Sequence, residues 1–120
     1  MATTKKSTAP ADKVELYERI VATIPEIPRK GATVPYTSIN GNMFSYLDGT
    51  GSMALRLPKL AREAFIETYK TTLFEAYGIV QKEYVKVPDS LLAATEDLQQ
   101  HFEASYEYAK TLKPKASKVS

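Results

Sequence analysis

Residues 30–58 read KGATVPYTSINGNMFSYLDGTGSMALRLP. Two turn signals divide this stretch. Asn40-Gly41 separates ATVPYTSI from NMFSYLD, and Gly49-Thr50-Gly51 separates that run from SMALRLP. An Asn-Gly pair between β-rich runs is the strongest short-range hairpin signal, because both central residues of a type I′ turn need positive φ. The stretch therefore predicts three consecutive antiparallel strands, over residues 33–39, 43–47 and 53–57. With Ile39 paired to Asn42, period-two alternation puts Val34, Tyr36, Met43 and Leu47 on one face with Ser38 and Ser45. Phe44 and Tyr46 then share the other face with Thr37, and Met53, Leu55 and Leu57 alternate with Ala54 and Arg56. The more apolar set is expected to face helices.

Helical periodicity flanks the meander. Asp12 reads as an N-cap with Glu15 completing a capping box, and Val14, Tyr17, Ile20, Val21 and Ile24 form one stripe. Pro25 and Pro28 close that helix. Pro58 opens a second helix over 59–69, with Leu60, Ala64 and Phe65 as packing positions. Residues 72–80 are ambiguous, with Gly78 as a breaker and a short strand possible on either side. Residues 83–87 alternate as a strand ended by Pro88. Asp89 caps a short turn, and Thr95 caps a longer helix through Leu112 whose face carries Leu98, Phe102, Tyr106 or Ser105, and Ala109. Helices before, between and after antiparallel strands give an α+β two-layer sandwich: a three-strand meander plus one or two further strands, flanked by helices.

At 120 residues, with 43% hydrophobic and 25% charged, the chain has the size and composition of one globular domain. It divides into a tail over 1–11, a domain over 12–112 and a lysine-rich tail over 113–120. The absence of cysteine excludes disulfides, thiol nucleophiles and thiolate metal sites. No apolar run approaches the roughly 20 residues that span a bilayer, and residues 1–12 lack an apolar signal core. A cytoplasmic location without membrane contact is expected.

The net charge of +2 is unevenly placed. Lys5, Lys6, Lys113, Lys115 and Lys118 lie in the tails; without them, 11 basic residues face 14 acidic ones, a net of −3 over 11–112. Duplex-binding domains carry positive charge on the folded surface, since phosphate neutralisation supplies most of their affinity. Nucleic-acid binding is therefore expected to be weak and to reside mainly in the tails, with Arg29, Lys30 and Arg56 as the candidate basic patch of the fold.

No catalytic, cofactor-binding or metal-binding residue is singled out. His101 stands alone on a helix, whereas a metal site needs converging ligands and a nucleophile needs a partnered base. Glu63 and Glu67, one helical turn apart, read as a solvated face with Arg62 and Lys70. Asp48-Gly49-Thr50-Gly51 lacks the repeated acids and distal Glu of a calcium loop and reads as a tight turn. The eight tyrosines and four phenylalanines are too many for the interior of so small a domain. Aromatic and arginine side chains carry much of the energy of interfaces. Phe44, Tyr46 and Arg56 are accordingly the interaction candidates.

The run NGNMFSYLDGTGSMALRLP, the helix PKLAREAFIETY, the segment EYVKVPDSLL and the aromatic last helix together resemble the N-terminal domain of the TfoX/Sxy competence-regulator family. The likeness covers residues 12–112. Family members often carry Met-Phe-Gly in the first strand, where this chain has Ala32-Thr33-Val34. The resemblance implies a stand-alone, bacterial, cytoplasmic domain linked to transcriptional regulation; the aromatic pair in strand two and Arg56 in strand three lead to the expectation of a non-catalytic domain acting through a protein partner or a second copy of itself. The alternatives are a weak nucleic-acid binder in transcription or competence regulation, and an unrecognised small-ligand binder or enzyme.

Overall fold

A computed structural model describes residues 10–27, 35–76 and 78–113. The elements run α1 (Ala11–Val21), β1 (Tyr36–Ile39), β2 (Asn42–Leu47), β3 (Met53–Arg56), α2 (Lys59–Tyr69), β4 (Leu73–Ala76), β5 (Ile79–Val87), α3 (Asp89–Ala93) and α4 (Thr95–Thr111). The five strands form one antiparallel sheet in the order β1-β2-β3-β5-β4. The α+β class and the three-strand meander are as the sequence indicates, and the ambiguous segment around Gly78 supplies β4 and the start of β5. Residues 1–9, 28–34 and 114–120 fall outside the described residues. These hold most of both tails, the first residues expected of strand one including Val34, and the basic candidates Arg29 and Lys30.

Local chemistry accounts for the turns. Asn40 (φ 55°) and Gly41 (φ 78°) both take the left-handed conformation that a two-residue hairpin requires, and Ile39 pairs with Asn42. Asp48 organises the next turn: its Oδ1 accepts from the Thr50 amide (2.9 Å), the Thr50 hydroxyl (2.7 Å) and the Ser52 amide (3.0 Å). Gly51 (φ 91°) completes it, and a Cβ there would stand 2.8 Å from Cγ of Lys13 in α1. Pro10, not Asp12, occupies the N-cap of α1, and no side chain caps the helix. Pro88 and Ala94 likewise stand at the starts of α3 and α4 in place of Asp89 and Thr95.

The helices pack on one side of the sheet, α4 against β1, β2 and β3, α2 against β5, and α1 against α3 and α4. Between the layers lie Tyr17, Ile20 and Val21 of α1, Leu47, Met53, Leu55, Val85 and Val87 of the sheet, Phe65 of α2, and Leu98, Phe102 and Ala109 of α4. On α2, Leu60 is 79% exposed and Ala64 is exposed, in contrast to the packing expected of them. The α2 face turned inward carries Ala61, Phe65, Ile66 and Tyr69 instead.

The meander departs from simple alternation at one residue. Ser45 opposes Thr37, but Met43 opposes Ser38, so Phe44 is an extra residue in β2. A β-bulge of this kind shifts the side-chain phase of one strand by one position. Phe44 and Ser45 both turn toward the helices as a result, while Met43 and Tyr46 share the opposite face. Phe44 is fully buried and packs on Phe102 (centroids 5.6 Å) and Tyr106 (5.9 Å). Its carbonyl accepts from the Ser105 hydroxyl at 3.2 Å. The buried Ser45 hydroxyl bonds to those of Tyr17 (2.7 Å) and Thr37. The expected sharing of faces is therefore corrected: Phe44 joins Leu47 and Thr37 inside, and Tyr36 and Met43 join Tyr46 outside.

Candidate functional site

The sheet face away from the helices carries a second, smaller cluster. Tyr46 of β2, Ala54 of β3 and Phe74 of β4 are its buried members, with Tyr36, Met43, Ala76 and Tyr84 around them. Strand order places β3 and β5 between β2 and β4, yet Tyr46 and Phe74 meet edge to face at 5.4 Å. The Tyr46 hydroxyl donates to Gln81 Oε1 of β5 at 2.9 Å. Ala54, one methyl group, is the floor that allows side chains to meet above it. The β4–β5 hairpin thus curls over this face and makes it concave.

Arg56 lies on the same face, as expected, but is held fast. Its Nε donates to Glu83 Oε1 at 2.7 Å, its Nη1 reaches the Met43 carbonyl at 3.4 Å, and its guanidinium carbon sits 5.8 Å from the centre of the Tyr84 ring. The Tyr84 hydroxyl donates to the same Met43 carbonyl at 2.7 Å. Burial pushes the Tyr84 hydroxyl pKa up, and the Arg56 charge partly opposes this. Arg56 braces the bulged strand against β5, with its charge met by Glu83. It lends no free positive charge to a basic patch, and Arg29 and Lys30 lie outside the described residues. Of the three interaction candidates, Tyr46 and Arg56 occupy this face and Phe44 does not.

Two cavities adjoin the cluster. The larger, about 480 Å³, is lined by Met43, Tyr46, Ala76 and Gln81, by residues 48–50 and by Glu75. The other, about 420 Å³, shares Asp48, Thr50 and Glu75 with the first and continues along residues 72–74 to Lys86. Sequence reading missed Met43, Phe74, Glu75 and Gln81. The available signal was Ala54, a small residue at the centre of a strand otherwise made of large ones.

His101 belongs to the helical layer. Its Nε2 lies 2.8 Å from the Tyr69 hydroxyl, and its ring stands perpendicular to Phe65 at 5.1 Å. Burial lowers its pKa, with Asp97 pulling the other way. The fold therefore favours the neutral ring, and the unfolded chain binds more protons once the pH falls below about 6.5. Stability is full above that pH and declines as the pH drops toward the folded-state pKa. Urea midpoints should be lower at pH 5.5 than at pH 7.5, and His101→Gln should flatten the difference. A slope unchanged in that variant assigns the effect to other groups.

Among the described residues, no three His, Asp or Glu side chains gather as a metal-ligand set, and no helix is long and apolar enough to cross a membrane. No family model, curated protein or solved structure matches the chain.

Proposed function

We propose that the chain is a non-catalytic protein-interaction domain that docks a partner on the concave, helix-free face of its sheet, in a regulatory role like that implied by its resemblance to the TfoX/Sxy N-terminal domain. The supporting observation is the joining of Met43, Tyr46 and Ala76 to a cavity that, among the described residues, no helix covers. Interfaces favour aromatic residues and methionine at their cores. Apolar side chains also flank the site at the hairpin tip, where Ile79 is 66% and Val80 49% exposed. The one histidine sits in the other layer, so no imidazole base serves this face. Duplex binding is disfavoured by the acidic balance of residues 11–112 and the neutralised Arg56. A small-ligand site is the second reading, since the larger cavity falls within the ordinary range of ligand pockets.

Selection of a random peptide library on the full-length chain alone tests the proposal, with the selected peptides then titrated against Met43→Lys. Met43 is a partly exposed lining residue, so circular dichroism should show the variant folded. Selected peptides should bind the parent and lose the variant. A dimeric mass for the parent, reduced to that of one chain by Met43→Lys, would also support the face, with a second copy as partner. Peptides that bind both proteins equally refute it.

A further inference from the structure

The two cavities of the helix-free face form one groove, because they share Asp48, Thr50 and Glu75. One wall is the turn over 48–52. The other is β4, touched at all four of its residues, 73–76, and at residue 72 before it. Phe74, Glu75 and Ala76 pair in regular register with Gln81, Val80 and Ile79, and successive strand residues point to opposite faces, so a groove that touches all three follows the strand rather than one face of it. β4 is the last strand of the sheet, and among the described residues it pairs with β5 alone. Its second edge has no strand partner among the described residues and lies beside the groove. A strand edge of this kind recognises an extended chain through main-chain hydrogen bonds, and adjoining pockets select its side chains.

The electrostatics restrict what can enter. The larger, more apolar cavity is lined by two carboxylates, Asp48 and Glu75, and by no basic side chain. Asp48 is held in place by the three hydrogen bonds to its Oδ1. Glu75 is exposed. Lys86 lines only the far end of the polar cavity. Met43, Tyr46 and Ala76 form the apolar lining between these charges.

Resting on the reading of this face as a docking surface, we propose that the groove takes an extended segment of a partner protein as a sixth strand beside β4, and that this segment alternates apolar residues with lysine or arginine. Alternation follows from the strand period. The apolar side chains fill the larger cavity on the side of Phe74 and Ala76, and the cationic ones, of the other parity, answer Glu75.

The probe is a fluorescent octapeptide of alternating lysine and valine, titrated into the full-length chain at physiological salt. Two further octapeptides separate the causes. Alternating lysine and proline keeps the charge but lacks half the backbone donors; alternating glutamate and valine keeps the strand pattern and reverses the charge. The lysine–valine peptide should bind at least about tenfold more tightly than either, a difference of about 1.4 kcal/mol. Glu75→Lys should remove that advantage. Glu63→Lys, the same charge change on the exposed face of α2, should preserve it. Amides of β4 should gain hydrogen-exchange protection in the complex. Equal binding of the lysine–valine and lysine–proline peptides, or equal loss in both variants, would reduce the interaction to general charge attraction and overturn the proposal. So would the absence of saturable binding, or displacement of the peptide by millimolar phenethylamine, which would mark a small-amine site. If library selection instead returns neutral or acidic peptides that require Met43, the docking surface stands and the cationic strand falls.

Discussion

Phe44→Ala should cost about 3–5 kcal/mol of unfolding free energy, the range for truncating a buried phenylalanine, and should leave the folded chain's solution mass unchanged. The ring is fully buried between β2 and α4, against Phe102 and Tyr106. Its removal leaves a void where the sheet meets the longest helix. The bulge limits relaxation, since the Phe44 carbonyl is fixed by Ser105 and the next residue by the Tyr17 and Thr37 hydroxyls. Urea denaturation with light scattering at matched concentration checks both quantities. A loss under 1 kcal/mol, or a mass change at full stability, would return Phe44 to the surface.

Phe74→Ala should cost about 3 kcal/mol, and the damage should be local. Phe74 is the buried residue of β4 in the outer cluster, and its contact with Tyr46 ties the curled hairpin down on the sheet. Without it, the hairpin retains its own β4–β5 ladder and the start of β5, but loses its purchase on β2. Amide exchange should quicken in β4 and at residues 79–81, while β2 and β3 stay protected as part of the main core. The groove should open with it, so the variant should also lose the lysine–valine peptide. Uniform acceleration across all strands would mean that the outer cluster is an integral part of the main core.

Local signals made most of the architecture legible. Asn40-Gly41 fixed the first hairpin, Pro58 marked the start of α2, and the Leu98–Phe102–Ala109 stripe marked the inner face of α4. Residue choices within a few positions of each other determine these features. The bulge is different in kind. Nothing in NMFSYL says that Phe44 is supernumerary; that depends on Ser105 and Tyr17, which lie far away in the chain and supply partners for the displaced groups. A strict period of two therefore put Phe44 and Tyr46 together and left Met43 inside. Half of the candidate site suffered from the same shift. Tyr46 and Arg56 were correctly placed on one face, but the free charge read into Arg56 is taken by Glu83, 27 positions further along. β4 was indistinct because Leu73-Phe74-Glu75-Ala76 is too short to show a period, and its curl becomes visible only when Tyr46 meets Phe74 across Ala54.

The close approach of Gly51 to α1 bears on how crowded copies of this chain behave. An exposed strand edge is a template for sheet extension and aggregation. Here the turn that shares a cavity with β4 is backed by Lys13, at a distance that leaves no room for a Cβ on Gly51. The first helix thereby acts as a doorstop for the turn that lines the groove beside the final strand. A side chain at residue 51 would have to displace Lys13 or the turn itself, so one hydrogen atom sets where that wall of the groove stands.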